Sequence, residues 1–184
     1  MDLKNTKRCF IALNLPLGAI NEIRNIQKLI KGKNLFIGKF TELENLHLTL
    51  KFLGEITENK VNEVKERLKD ISFRTFEGKL RDVGVFSESF VKIIWVELTG
   101  NVFELQKQID EKLKEFYEPE KRFMSHITIA RVKKSNDKNK LIDVLKNIKP
   151  KKIKFKINNF YLMESDLRSE KPVYKVIERY NLER

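Results

Sequence analysis

The chain's only two histidines, His47 and His126, lie 79 positions apart and head matching tetrapeptides, His47-Leu48-Thr49-Leu50 and His126-Ile127-Thr128-Ile129. Chance rarely places two scarce residue types in the same pattern twice, and a duplicated signature marks a duplicated structural unit. Each copy alternates polar with aliphatic residues, the period-2 signal of a strand with one face buried. Side chains two apart in a strand share a face. His47 therefore points with Thr49 and His126 with Thr128, while the four aliphatic residues turn into a core. Two such strands facing each other gather two imidazoles and two hydroxyls around one small volume. An imidazole, with an ordinary pKa of about 6.5, can be neutral in one copy and protonated in the other near neutral pH. A threonine hydroxyl hydrogen-bonds a phosphate oxygen without adding charge. The constellation suits acid–base chemistry on a phosphate. A lone strand histidine is more often solvated or held by the core, and it is the second matching copy that reverses those odds.

Helices alternating with strands must position these residues. A strand is expected over 7–14, and Pro16 can open a helix with an apolar stripe of Ile20, Ile23, Ile26 and Ile30. After the first motif strand, Thr57 can cap a helix bearing Val61, Val64, Leu68 and Ile71. Strands around 73–86 and 91–98 precede a helix that follows Asn101 and carries Leu105, Ile109, Leu113 and Phe116. Beyond the second motif, Ser135 leads a short helix with Leu141, Leu145 and Ile148, and strands at 152–163 and 172–180 close the chain. The class is α+β, with no linker rich in Pro, Gly or Ser.

The 184 residues, 41% hydrophobic and 35% charged, fit a single domain over 1–184 with one sizeable core. No apolar stretch approaches a membrane span, and the N-terminus lacks a signal peptide's apolar run, so a cytoplasmic monomer away from membranes is expected. Cys9, the single cysteine, lies in the apolar run Phe10-Ile11-Ala12-Leu13 and reads as a buried, inert thiol. The formal charge of +12 favours a polyanionic partner, for which nucleic acid is the commonest candidate. Lys149, Lys151, Lys152, Lys154 and Lys156 cluster around a strand, where they either contact RNA or guard an exposed sheet edge against aggregation.

Competing motifs fail. Gly32 and Gly38-Lys39 have the wrong spacing for a phosphate-binding loop, and Phe40 stands where Ser or Thr would hold Mg²⁺. Lys51-Phe52-Leu53-Gly54 lacks the acidic residue of an ATP-dependent ligase's nucleotidyl-lysine motif. With two histidines and one cysteine a zinc site of the usual His/Cys kind can scarcely be built. The expectation is catalysis with neither metal nor nucleotide cofactor.

The tetrapeptides resemble those of the two-histidine (2H) phosphoesterases, and the whole chain is similar to the RNA 2′,3′-cyclic phosphodiesterase branch, also known as the 2′-5′ RNA ligase family. Arg8 to Leu13 followed by Leu15-Pro16 resembles that family's opening strand, and Glu44 to Glu55 its first motif. Gly84-Val85-Phe86 with Ile94-Trp95-Val96 resembles its middle hairpin, Phe123 to Arg131 its second motif, and Leu162 to Ser165 with Leu167, Pro172 and Tyr174 its closing hairpin. Three positions depart from the pattern: Ser125 in place of Pro, Phe40 in place of Trp, and Lys171 in place of Gly. They bear on substrate preference more than on activity.

The resemblance implies two lobes of antiparallel sheet related by a pseudo-twofold axis, helices outside, and residues 47–50 and 126–129 lining a central cleft. It implies hydrolysis of RNA 2′,3′-cyclic phosphate ends to 2′-phosphomonoesters, with His126 as general base, His47 as general acid, and Thr49, Thr128 and Arg131 as phosphate ligands. A base and an acid on opposite sides of the phosphorus meet the needs of in-line attack by water. Strict alternation puts Arg131 on the opposite face from His126, so its participation needs a bulge or the strand's end. Lys51, on the face of His47 and Thr49, is an alternative cation. The same groups run in reverse would make an ATP-independent 2′-5′ RNA ligase acting on tRNA-like fragments, and the basic surface also suits an RNA-end-binding module without turnover.

Overall fold

The computed structural model describes residues 6–166 and 172–183; Leu167 and Lys171 lie outside the described residues. Strand β1 (Thr6–Asn14) buries Cys9, Ile11 and Leu13 on one face, and Pro16 leads into helix α1 (Leu17–Lys33). The stripe of α1 that reaches the core is Ala19, Ile23, Ile26 and Ile30, with Ile20 only half-buried. A short strand the sequence did not announce, β2 (Phe36–Phe40), follows. Glycine is needed at its position 38 because a Cβ at Gly38 would lie 2.2 Å from the Arg131 carbonyl oxygen. The first motif opens strand β3 (His47–Thr57), and the Thr57 hydroxyl accepts from the Lys60 N–H to cap helix α2 (Glu58–Lys69) as expected. Strands β4 (Phe76–Val85) and β5 (Ile93–Thr99), helix α3 (Val102–Leu113) and strand β6 (His126–Ser135) complete the second motif's surroundings.

Two expectations are corrected after β6. Helix α4 (Lys138–Asn147) is capped by Asp137, whose carboxylate accepts from the Lys140 N–H; Ser135 is instead the last residue of β6 and donates to the Leu35 carbonyl. The continuous strand at 152–163 is two strands, β7 (Lys154–Ile157) and β8 (Asn159–Asp166), before β9 (Val173–Asn181) ends the sheet. The apolar positions change phase across Asn158-Asn159, from Ile153, Phe155 and Ile157 to Phe160 and Leu162, and the chain changes sheet partner at that point.

The strands form one nine-stranded sheet, ordered β7-β4-β5-β6-β3-β1-β8-β9, with β2 also paired to β6. Every named pair is antiparallel. The two motif strands meet at the centre with Leu48 opposite Ile127, and those residues are themselves 79 positions apart. A residue paired with its own counterpart places a pseudo-twofold axis through the pair. The strand order then reads outward alike in both directions, with β4 of the first half beside β5 of the second and β8 of the second beside β1 of the first. Only Asn158 separates β7 from β8, a span of at most about 7 Å, although they belong to opposite wings of the sheet. The sheet must curl to bring them together.

Helix α1 packs on β6, α3 on β3, and α4 on β4, all on the face where Leu48, Leu50, Ile127 and Ile129 are buried. With helices covering that face, the alternate residues of the central strands are left to line the other. Among the described residues no helix is long and apolar enough to cross a membrane. Strand β7 is an edge strand, and two of the clustered lysines have carboxylate partners: Lys154 with Glu77 at 2.8 Å and Lys149 with Asp82 at 3.7 Å.

Candidate active site

Each motif histidine is clamped the same way. His47 Nδ1–H donates to the Asn45 carbonyl at 2.8 Å, and His126 Nδ1–H donates to the Met124 carbonyl at 2.7 Å. The two acceptors are again 79 positions apart. A carbonyl can only accept, so each Nδ1 carries a proton and each neutral ring keeps its lone pair at Nε2. That nitrogen can take a proton or, once charged, give one. The Thr49 hydroxyl donates to His47 Nε2 at 3.1 Å. The 3-10 turn Leu43–Asn45 that supplies the first clamp is tied down by Asn45 Nδ2, which donates to the Pro172 carbonyl at 2.9 Å. Buried Ser125, in the second clamp's loop, donates to the Leu98 carbonyl.

A bulge in each motif strand decides what lies beyond the threonine. The β1–β3 register passes from Ala12 opposite Thr49 to Ile11 opposite Lys51, skipping Leu50. The β5–β6 register passes from Trp95 opposite Thr128 to Ile94 opposite Ala130, skipping Ile129, the counterpart of Leu50. A skipped residue flips the phase of alternation. Lys51 and Ala130 consequently turn to the buried side, and Phe52 and Arg131 turn out. The Ile129 carbonyl at the bulge accepts from the Gln27 side chain at 2.9 Å and the Thr41 N–H at 3.0 Å, so the kinked backbone is satisfied.

The bulges send the two candidate cations to opposite faces of the sheet. Lys51 is buried, its ammonium 2.5 Å from Asp110 and 2.9 Å from the Glu118 carbonyl; Gln106 and the Glu120 N–H bind the other Asp110 oxygen. It holds the loop before the second motif and is not available to a phosphate. Arg131 lines the cleft with His47, Thr49, His126 and Thr128, a volume of about 690 Å³, and forms no ion pair among the described residues. Lys39, opposite Arg131 in β2, pairs with Glu42 at 3.3 Å. All five residues expected from the sequence thus line one cleft, and Phe40 joins them on its wall.

Sequence reasoning missed the aromatic shell. His47 lies 5.0 Å from the Phe10 ring and 5.1 Å edge-on from Tyr174; His126 lies 4.8 Å edge-on from Phe86. These rings come from distant strands, and only the topology brings them to the histidines. Burial among them lowers the pKa of both imidazoles against the opposing pull of their carbonyl bonds, and for His47 the positive charges of His126 and Arg131 lower it further. Protonation of one imidazole therefore discourages protonation of the other. Burial raises Cys9 to about 11, in keeping with an inert thiol. Among the described residues no group of three or more His, Cys, Asp or Glu side chains could hold a metal ion.

The family model of LigT-like phosphoesterases matches the chain twice, over residues 15–95 and 94–174. The chain belongs to this family. Its two matches are offset by the same 79 positions as the histidines. An RNA 2′,3′-cyclic phosphodiesterase of Methanocaldococcus jannaschii is 34% identical over 177 residues, covering 94% of this chain and 99% of that protein. One of Methanothermobacter thermautotrophicus is 29% identical over 182 residues, covering 95% and 98%. Among solved structures, TT0787 of Thermus thermophilus superposes with a TM-score of 0.78 at 25% identity, covering 95% of this chain and 97% of that one. The LigT of E. coli complexed with phosphate shares the fold alone, with a TM-score of 0.74 at 22% identity over 98% and 100%.

Proposed function

We propose that this LigT-like phosphoesterase hydrolyses the 2′,3′-cyclic phosphate at RNA ends to a 2′-phosphomonoester, by two-histidine acid–base catalysis and without a metal or nucleotide cofactor. The observation that carries this is the doubled clamp: each Nδ1 is occupied by a carbonyl, so both histidines offer Nε2 for proton transfer in one cleft that also holds Arg131, which has no ion-pair partner among the described residues. The activity for which relatives matched along nearly their whole length are named supports the choice of substrate. The protein acts as a monomer in the cytoplasm, as one domain.

One neutral imidazole takes a proton from water as its oxygen attacks phosphorus, and the other, protonated, gives a proton to the departing ribose oxygen. Thr49, Thr128 and Arg131 hold the non-bridging oxygens and stabilise the charge that grows on them. By the family pattern His126 is the base and His47 the acid toward the 3′ oxygen. Without a bound anion, burial, Arg131 and a protonated His126 all oppose charge on His47. The assignment therefore requires the substrate's phosphate to draw the proton to His47.

Incubation of a short RNA bearing a 2′,3′-cyclic phosphate, with EDTA and without ATP, tests the reading. A 2′-phosphate product is expected, while binding without turnover would make the protein an RNA-end-binding module. An activated phosphodiester, whose leaving group needs no acid, tests the roles. It should partly rescue His47→Ala and leave His126→Ala impaired, and the reverse pattern would exchange them.

A further inference from the structure

The centre of the cleft is nearly symmetric, and a symmetric site gives a substrate no direction. Direction enters at one pair of equivalent positions. Phe52 and Arg131, 79 apart, each follow the duplicated bulge and each turn into the cleft. Because β3 and β6 run antiparallel through the Leu48–Ile127 pair, the two positions lie on opposite sides of the pseudo-twofold axis. One end of the cleft therefore presents a guanidinium and the other an aromatic ring.

We propose that Phe52 and Arg8 form a track for the RNA that carries the cyclic phosphate, Phe52 stacking the terminal base and Arg8 taking the phosphodiester on its 5′ side. This deepens the reading of the site as one for cyclic-phosphate RNA ends and rests on it. With the terminal phosphate drawn toward Arg131, the remainder of the chain must leave over Phe52. The Phe52 ring is 69% exposed, whereas Leu48, Leu50, Leu53 and Ile56 of the same strand are buried. Phe10 supports it from the neighbouring strand, with ring centroids 6.2 Å apart. Every nucleobase has a π face, so such a platform accepts any base.

The register sets the spacing. Ala12 faces Thr49, Phe10 faces Phe52, and Arg8 lies two residues further along the same face of β1. At about 3.4 Å per residue, Phe52 stands about 7 Å beyond Thr49 and the Arg8 backbone about 7 Å beyond Phe52. Arg8 lines the cleft, is exposed and forms no ion pair among the described residues, while its neighbour Lys7 is engaged by Glu58 at 2.7 Å.

Three substrates separate the parts: glycerol 1,2-cyclic phosphate, with neither base nor 5′ phosphate; a 2′,3′-cyclic mononucleotide, with a base only; and a dinucleotide ending in a 2′,3′-cyclic phosphate, with both. In Phe52→Ala, and also in Phe52→Leu, which keeps apolar bulk without a flat ring, the ratio of kcat/KM for the cyclic mononucleotide to that for glycerol cyclic phosphate should fall about 10-fold. In Arg8→Ala the ratio of dinucleotide to mononucleotide should fall several-fold, and KM for the dinucleotide should lose part of its salt dependence. Equal losses on all three substrates would overturn the track. Failure of the wild-type protein to hydrolyse any of them would overturn the hydrolase reading itself, and the track with it.

Discussion

Strands β3 and β6 share a histidine clamped through Nδ1, a threonine two residues on, and a bulge at the motif's fourth position, yet beyond the bulge they part. In β3 the next two residues are Lys51 and Phe52; in β6 they are Ala130 and Arg131. The shared features fix where two imidazoles point. The differing ones decide what each half does besides, since β3 spends its cation on a buried ion pair and β6 turns its cation into the cleft. Duplication thus preserved the geometry that acid–base chemistry needs, while the chemistry around it diverged.

The comparison breaks most severely if either half can work alone. His47→Ala and His126→Ala should each lower turnover roughly 10²–10⁴-fold or more with the circular dichroism spectrum intact, and near-normal activity in either variant would remove the acid–base pair. The two cations sharpen the contrast next. Arg131→Ala should lower kcat about 10²–10³-fold with an unchanged melting temperature. Lys51→Ala, which strands Asp110 at 9% side-chain exposure, should instead cost about 3–5 kcal/mol of stability, read in denaturant unfolding. Exchange of those phenotypes would mean the bulges have been assigned the wrong residues. Smaller still, Thr49→Val and Thr128→Val keep the β-branched shape and remove a hydroxyl, so each should forfeit on the order of 1–3 kcal/mol of transition-state stabilisation, measured as kcat/KM. Unchanged kinetics in both would assign the hydroxyls to the strand alone.

The sequence exposed what chemistry demands and hid what the backbone decides. His47, Thr49, His126 and Thr128 were legible because their spacing and repetition are written in side-chain types. The bulges were not, since Leu50 and Ile129 are aliphatic whether paired or skipped, and the placement of Lys51 and Arg131 depended on them. The carbonyl clamps carry no residue signature, because Asn45 and Met124 contribute backbone oxygens. The helix stripes and the Thr57 cap were readable from local rules, whereas the strand holding Gly38 is set by its distant partner β6. The aromatic shell belongs with these, since Phe10, Phe86 and Tyr174 meet the histidines only across the sheet.

The pH dependence of kcat/KM tests the central claim, that the two imidazoles act as one pair. Burial lowers both pKa values, and each positive charge in the cleft works against the next proton, so both steps of the pair should fall below the ordinary value of about 6.5. The working form holds one proton. As pH falls from about 8, kcat/KM should rise as the acid is loaded, peak below about pH 6.5, and fall again as the second proton takes the base. The account predicts that bell for the wild-type protein and a single limb for the residual activity of His47→Ala or His126→Ala. A wild-type profile flat from about pH 5 to 8, or two limbs persisting in either variant, would contradict it.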